Sequence, residues 1–194
     1  MTLFEILFSL TAVILGLALT LLASNLHRLM LAGRRVRWAP EPLILCSIIF
    51  LVIITVWLGQ WGLRGVTKIT EAEVILKVLK MLSPFMAAAF VLPDRIPEQG
   101  EIDLYRHYDR TRAFTFSALI LGLLLFWVDF LIQKQAPPFG SALPWAFTLQ
   151  QAPYVIAPAY AALIFIRARW FNILVLLGVL IEFGWQTLPT VLIQ

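Results

Sequence analysis

Six stretches of about twenty predominantly apolar residues run through this chain, and no other feature limits its fold as much. A bilayer core about 30 Å thick takes about 20 residues of helix to cross. Residues 3–25, 43–63, 70–92, 113–133, 145–166 and 170–193 qualify as predicted spans. Backbone groups in hydrocarbon must be satisfied within the segment or around a closed barrel. A barrel would alternate apolar and polar residues in segments of about ten, whereas these runs are continuous. The expected fold is therefore all-α: one polytopic membrane domain over 1–194, a bundle of six transmembrane helices. The third span is the least regular, with Lys77, Lys80 and Pro84 inside it, and the fifth carries Pro153 and Pro158. The first has no basic leader, and Glu5 stands where that charge would be, so it reads as a retained helix rather than a signal peptide.

Composition agrees. Of 194 residues, 61% are hydrophobic and 13% charged, about half the charge of an ordinary soluble domain, and the mean hydropathy is +0.88. Such a chain cannot clothe itself in polar surface. That excludes a disordered chain, a disulfide-stapled secreted domain and a soluble nucleic-acid-binding domain. The single cysteine, Cys46, excludes an intrachain disulfide or a cysteine-ligated cluster and reads as a small apolar residue.

The basic residues give an orientation. Arg28, Arg34, Arg35 and Arg37 follow the first span. Arg95, Arg106, Arg110 and Arg112 follow the third, and Arg167 and Arg169 the fifth. These alternate loops hold ten of the fifteen lysines and arginines, so the positive-inside rule makes that side cytoplasmic and both termini external. Trp38, Trp61, Trp145 and Trp170 fall near the predicted interfaces.

Ionisable residues within spans are costly and usually face the bundle or a cavity. Glu5, Glu73, Lys77, Lys80, Asp129 and Glu182 come from four different spans, yet all fall in the outer half. Glu73, Lys77 and Lys80 share a helix face, with Glu73 placed to pair with Lys77 one turn on. Trp57 and Gln60 form a stripe on the second span with Trp61 and Arg64. Gln150 and Tyr154 lie one turn apart on the fifth, and Glu182 and Gln186 on the sixth. Two readings stand side by side. One is an outward-facing polar pocket for an ion or a small polar solute; the other is a buried ion-pair network that holds the helices together.

Two further regions have their own character. On the first span Ser9, Ala12, Gly16, Thr20 and Ala23 form a small-residue stripe, expected to pack within the molecule, with a dimer face as the alternative. Residues 93–112 form the longest polar loop. Its second half predicts an interfacial helix from Glu101, with Leu104, Tyr105 and Tyr108 towards the bilayer. Arg34, Arg35, Arg37, Arg106, Arg110 and Arg112 are then placed at lipid headgroups, anionic lipid being the natural partner. His27 and His107 stand near carboxylates on this side but match no metal or acid–base signature. No filter, voltage-sensor, phosphate-loop, serine-nucleophile or haem pattern is present, and no cofactor is implied. The two halves have the opposed topologies that an inverted repeat would need, without a visible sequence match.

FEILFSLTAVILGLALTLLASNLHRL at the start, WLGQWGLR at the end of the second span and VLPDRIPEQGEIDLYRHYDRTR after the third carry a resemblance. The chain resembles a family of small bacterial multispanning inner-membrane proteins over about its first two-thirds. No activity is assigned to that family, so the resemblance implies a bacterial inner-membrane location and brings no catalytic residues. Three function classes follow. The first is a transporter- or channel-like protein using the outer pocket. The second is an accessory or assembly subunit docking through a homo-oligomeric or heteromeric face, and the third is a membrane enzyme using the cytoplasmic loop.

Overall fold

The computed structural model describes residues 3–60, 69–95, 97, 100–132 and 152–191. They form six helices: α1 (Leu3–Ala32), α2 (Pro40–Gly59), α3 (Glu71–Val91), α4 (Leu104–Ile132), α5 (Ala152–Phe165) and α6 (Arg169–Val191). Four of these, α1 to α4, are long and apolar enough to cross a membrane. As described, α5 has 14 residues, about 21 Å, shorter than the predicted span 145–166, whose residues 145–151 lie outside the described set.

The boundaries follow local chemistry. Gly33, at φ 54°, takes the left-handed conformation that stops α1. Pro40 opens α2 from its first turn, where its missing N–H costs nothing. Thr70 and Glu73 cap α3 reciprocally: the Glu73 amide donates to the Thr70 hydroxyl, and the Thr70 amide donates to the Glu73 carboxylate at 2.7 Å. Asp103 caps α4 by accepting from the amides of Tyr105 and Arg106. No proline follows it within α4. The expected interfacial helix and the fourth span are therefore one continuous rod of 29 residues, with nothing to break it. Pro153 sits in the first turn of α5, so only Pro158 interrupts that helix.

Short strands β1 (Val36–Arg37) and β2 (Ile102–Asp103) pair in parallel, Val36 with Ile102 and Arg37 with Asp103. This clasp draws the two polar loops over one end of the bundle. Leu104 and Tyr108, expected towards the bilayer, are buried instead. The core runs from there through Leu45, Ile49 and Ile53 of α2, Met81 and Ala88 of α3, Phe116 of α4 and Leu176 of α6. Outer faces stay apolar, with Val13, Phe165 and Ile181 largely exposed. Hydrophobic residues on both faces are what a lipid-embedded bundle requires.

The small-residue stripe of α1 departs from the packing expected of it. Ser9, Gly16, Thr20 and Ala23 are exposed, and a Cβ built on Gly16 meets nothing within 4 Å. The buried face of α1 is instead made by Leu7, Leu15, Ala18, Leu22 and Leu29.

Candidate functional site

Asp129 of α4 receives two lysines of α3, the buried Lys77 and the part-buried Lys80. Lys77 Nζ lies 3.4 Å from Asp129 Oδ1, and Lys80 Nζ bonds Asp129 Oδ2. Lys80 also sits over the Phe126 ring, 4.9 Å from its centroid. The lysines are three residues apart on one helix, and Asp129 and Phe126 are three apart on the facing one. One turn of each helix therefore supplies the whole group.

Beside this group α2 to α6 converge on a partly open, mainly apolar cavity of about 160 Å³. Lys80, Ser83 and Pro84 form its α3 wall, and Leu119, Gly122, Leu123 and Phe126 its α4 wall. Thr55, Gln60, Tyr160 and Phe183 come from the other three helices. Pro84 has no amide hydrogen, so the carbonyl of Lys80 loses its helical partner at the cavity wall. Ser83 donates across to the Ala118 carbonyl at 2.6 Å. A Cβ on Gly122 would come within 2.2 Å of Ser83 Oγ, so only glycine lets the two helices approach this closely.

Three of the residues around the cavity carry a buried side-chain atom with no hydrogen-bond partner among the described residues: Thr55 Oγ1, Gln60 Oε1 and Tyr160 Oη. Gln60 is anchored by its other amide atom, Nε2, which donates to the Val56 carbonyl at 3.2 Å. A carbonyl only accepts, so the nitrogen must face it and the oxygen is left over. Buried polar atoms without partners are uncommon in folded proteins.

The predicted site residues divide accordingly. Lys77, Lys80 and Asp129 are brought together, and Lys80 and Gln60 reach the cavity. Glu73 does not take Lys77 as its partner; its carboxylate closes the α3 cap and Lys77 turns to Asp129. Glu73→Gln is thus expected to leave the melting temperature nearly unchanged, because glutamine also closes a capping box, whereas Thr70→Ala costs about 1 kcal/mol. Thermal melts of the two variants check this. Trp57 packs at a tilt against Phe8 of α1, 5.8 Å between centroids, outside the cavity lining. Tyr154 is exposed, edge-on to Trp127. Glu5 is exposed in the first turn of α1, and Glu182 is half-buried next to Phe183. Gln150 and the side chain of Gln186 lie outside the described residues, as do Trp61, Arg64 and Trp145. Ser83, Gly122, Thr55 and Tyr160 were not anticipated. They are uncharged residues within apolar runs, and only the helix packing shows what they face.

At the strand end the arginines are engaged more than their headgroup assignment implies. Arg35 donates to the carbonyls of Pro97 and Gly100, and Arg37 pairs with Asp103 at 3.4 Å. Arg112 is buried and donates to the Ile166 carbonyl. Arg34, Arg106 and Arg110 stay exposed. Arg169 joins three partners: Glu41 of α2 at 3.1 Å, Asp109 of α4 at 3.0 Å, and the Tyr105 ring 4.5 Å away. The Glu41 side chain is wholly buried, whereas Arg169 is 42% exposed. Removing Arg169 strands a buried carboxylate, yet water already screens the cation. Arg169→Met should therefore cost about 1–2 kcal/mol, less than a fully buried pair. Adding Glu41→Leu should recover most of it in a denaturation series.

Among the described residues no group of three histidine, cysteine or acidic side chains is placed to hold a metal ion. His107 lies 3.1 Å from the Phe90 carbonyl. No family model, curated protein or solved structure matches the chain.

Proposed function

We propose that this is a six-span bacterial inner-membrane protein of transporter or channel type, with both termini outside, which takes a small solute into the cavity beside Lys80. The observation that carries the reading is the convergence of five helices on a partly open cavity of about 160 Å³. Two supports are independent of it. The cavity adjoins the end of α2 and the middle of α3, on the side of the bundle towards the end that the positive-inside rule assigns to the exterior. Intramembrane charge beside a cavity is a functional hint in its own right. The fifth span expected from the sequence covers 145–166, and α6 would be the sixth. Arg34, Arg106 and Arg110 are then free to meet anionic headgroups on the cytoplasmic side.

Cysteine accessibility tests this. Val52 lines the cavity; Val52→Cys is placed in a Cys46→Ala background. A small membrane-impermeant methanethiosulfonate should label it from the outer face of oriented vesicles. Absence of labelling from either face, in a variant that melts normally, would sink the reading.

A second reading rests on the outward-facing small-residue stripe of α1. Such a stripe lets another helix approach closely, so the protein would be an accessory subunit of a membrane complex. A stoichiometric partner retained through native purification, and lost on Gly16→Leu, would favour it.

A further inference from the structure

A recess at the strand end narrows which headgroup Arg106 and Arg110 meet, and it rests on the membrane placement in the reading above rather than on a transported solute. Glu101, Asp103, Arg106, His107 and Arg110 line this open recess of about 330 Å³. It carries both signs of charge, and a carboxylate in the wall works against a simple anion. Asp103 is already engaged, with one oxygen capping α4 and the other on Arg37. His107 is held on the Phe90 carbonyl. The side chains of Glu101, Arg106 and Arg110 are exposed and make no hydrogen bond or ion pair among the described residues. Arg106 and Arg110 lie one turn apart on α4. Glu101 is fixed beside them, because Arg35 holds the Gly100 carbonyl at 3.2 Å and β2 begins at Ile102.

The same face of α4 turns apolar one turn further on. Phe114 is 61% exposed and stacks on Phe90 of α3, 5.5 Å between centroids. Leu121, and Met86 one turn before Phe90, continue this exposed apolar surface. The 29 residues of α4 span about 43 Å, more than the roughly 30 Å of hydrocarbon, so its first turns stand among headgroups. Two guanidinium groups suit a phosphodiester, and a carboxylate suits an ammonium. A choline headgroup has no hydrogen to give Glu101, and a glycerol headgroup offers it only neutral hydroxyls. We infer that the recess is a specific site for a phospholipid with an ethanolamine headgroup. Its phosphate lies on Arg106 and Arg110, its ammonium on Glu101, and one acyl chain along Phe114 and Leu121.

The full chain in detergent is offered phosphatidylethanolamine, phosphatidylglycerol and phosphatidylcholine with identical acyl chains at equal concentration, and bound lipid is counted by native mass spectrometry. The ethanolamine lipid should be retained about threefold or more over each of the others, the gain of one exposed ionic contact. Glu101→Gln should abolish that preference with the melting temperature unchanged, since Glu101 is exposed and unpaired. Arg106→Gln/Arg110→Gln should lower retention of all three lipids. Glycerophosphoethanolamine, the same headgroup without chains, should bind about tenfold more weakly or worse, because it buries nothing on Phe114. Equal retention of the three lipids, a preference for the glycerol or choline lipid, or an ethanolamine preference that survives Glu101→Gln overturns the site. Equal binding of glycerophosphoethanolamine overturns the lipid as the source of the headgroup. A chain that stays in solution without detergent and joins no vesicle refutes instead the membrane placement beneath the inference.

Discussion

Asp129→Ala should lower the stability of the purified protein by about 3–5 kcal/mol, the cost of breaking a buried ion pair by removing one partner. The side chains of Lys77 and Asp129 are 6% and 7% exposed, and that of Lys80 14%. Two ammonium groups would be left in an apolar surround with no carboxylate between them. The cost comes from stranding those charges more than from any large net worth of the bridge. The triple variant Lys77→Met/Lys80→Met/Asp129→Leu should therefore regain most of the loss, since apolar replacements of similar volume often match a buried ion group. Reversible unfolding in mixed detergent gives both values. A loss below about 1 kcal/mol for Asp129→Ala would mean that water reaches the lysines freely, contrary to their burial. The triple variant also separates structure from function: it should fold well with the Lys80 charge gone from the cavity wall.

Gly122→Ala should cost about 1–3 kcal/mol, the usual range for forcing an extra carbon into a packed site. The added Cβ falls 2.2 Å from Ser83 Oγ and 3.0 Å from Ser83 Cβ. Neither atom can swing away cheaply, because Oγ is held on the Ala118 carbonyl and Cβ is fixed by the α3 backbone. The clash is specific to one partner, so a double-mutant cycle with Ser83→Gly is decisive. Ser83→Gly alone loses the interhelical hydrogen bond, but in its background Gly122→Ala should be nearly neutral. The coupling should thus reach about 1 kcal/mol or more, as expected for residues in contact. Additive losses would show that α3 and α4 do not approach at this point. The cavity wall passes through both residues, so the same cycle reports whether it keeps its shape.

Much of the fold was legible because its causes are local. Runs of about twenty apolar residues mark α1 to α4. The site was only partly legible. Lys77, Lys80 and Asp129 could be singled out because charge in an apolar run is conspicuous. Glu73 was misread as the partner of Lys77 because helical spacing permits that pair, while the cap at the N-terminus claims the carboxylate first. Tyr160 and Thr55 gave no signal, since uncharged polar residues are common in membrane helices and carry no sign of what they face.

The division has a physical basis. By itself the sequence determined that this chain is helical, apolar on nearly every face and suited to a bilayer, because those properties depend on residues within a turn or a span of one another. Only the tertiary structure decided that Asp129 would meet lysines 52 and 49 positions away, that β1 would clasp β2, and that five helices would leave a cavity between them. Helices apolar all round carry no stripe that says which side turns inward. Their rotation is set by close approaches such as Gly122 on Ser83 and by the few polar groups that must find partners, and those contacts exist only once the helices pack.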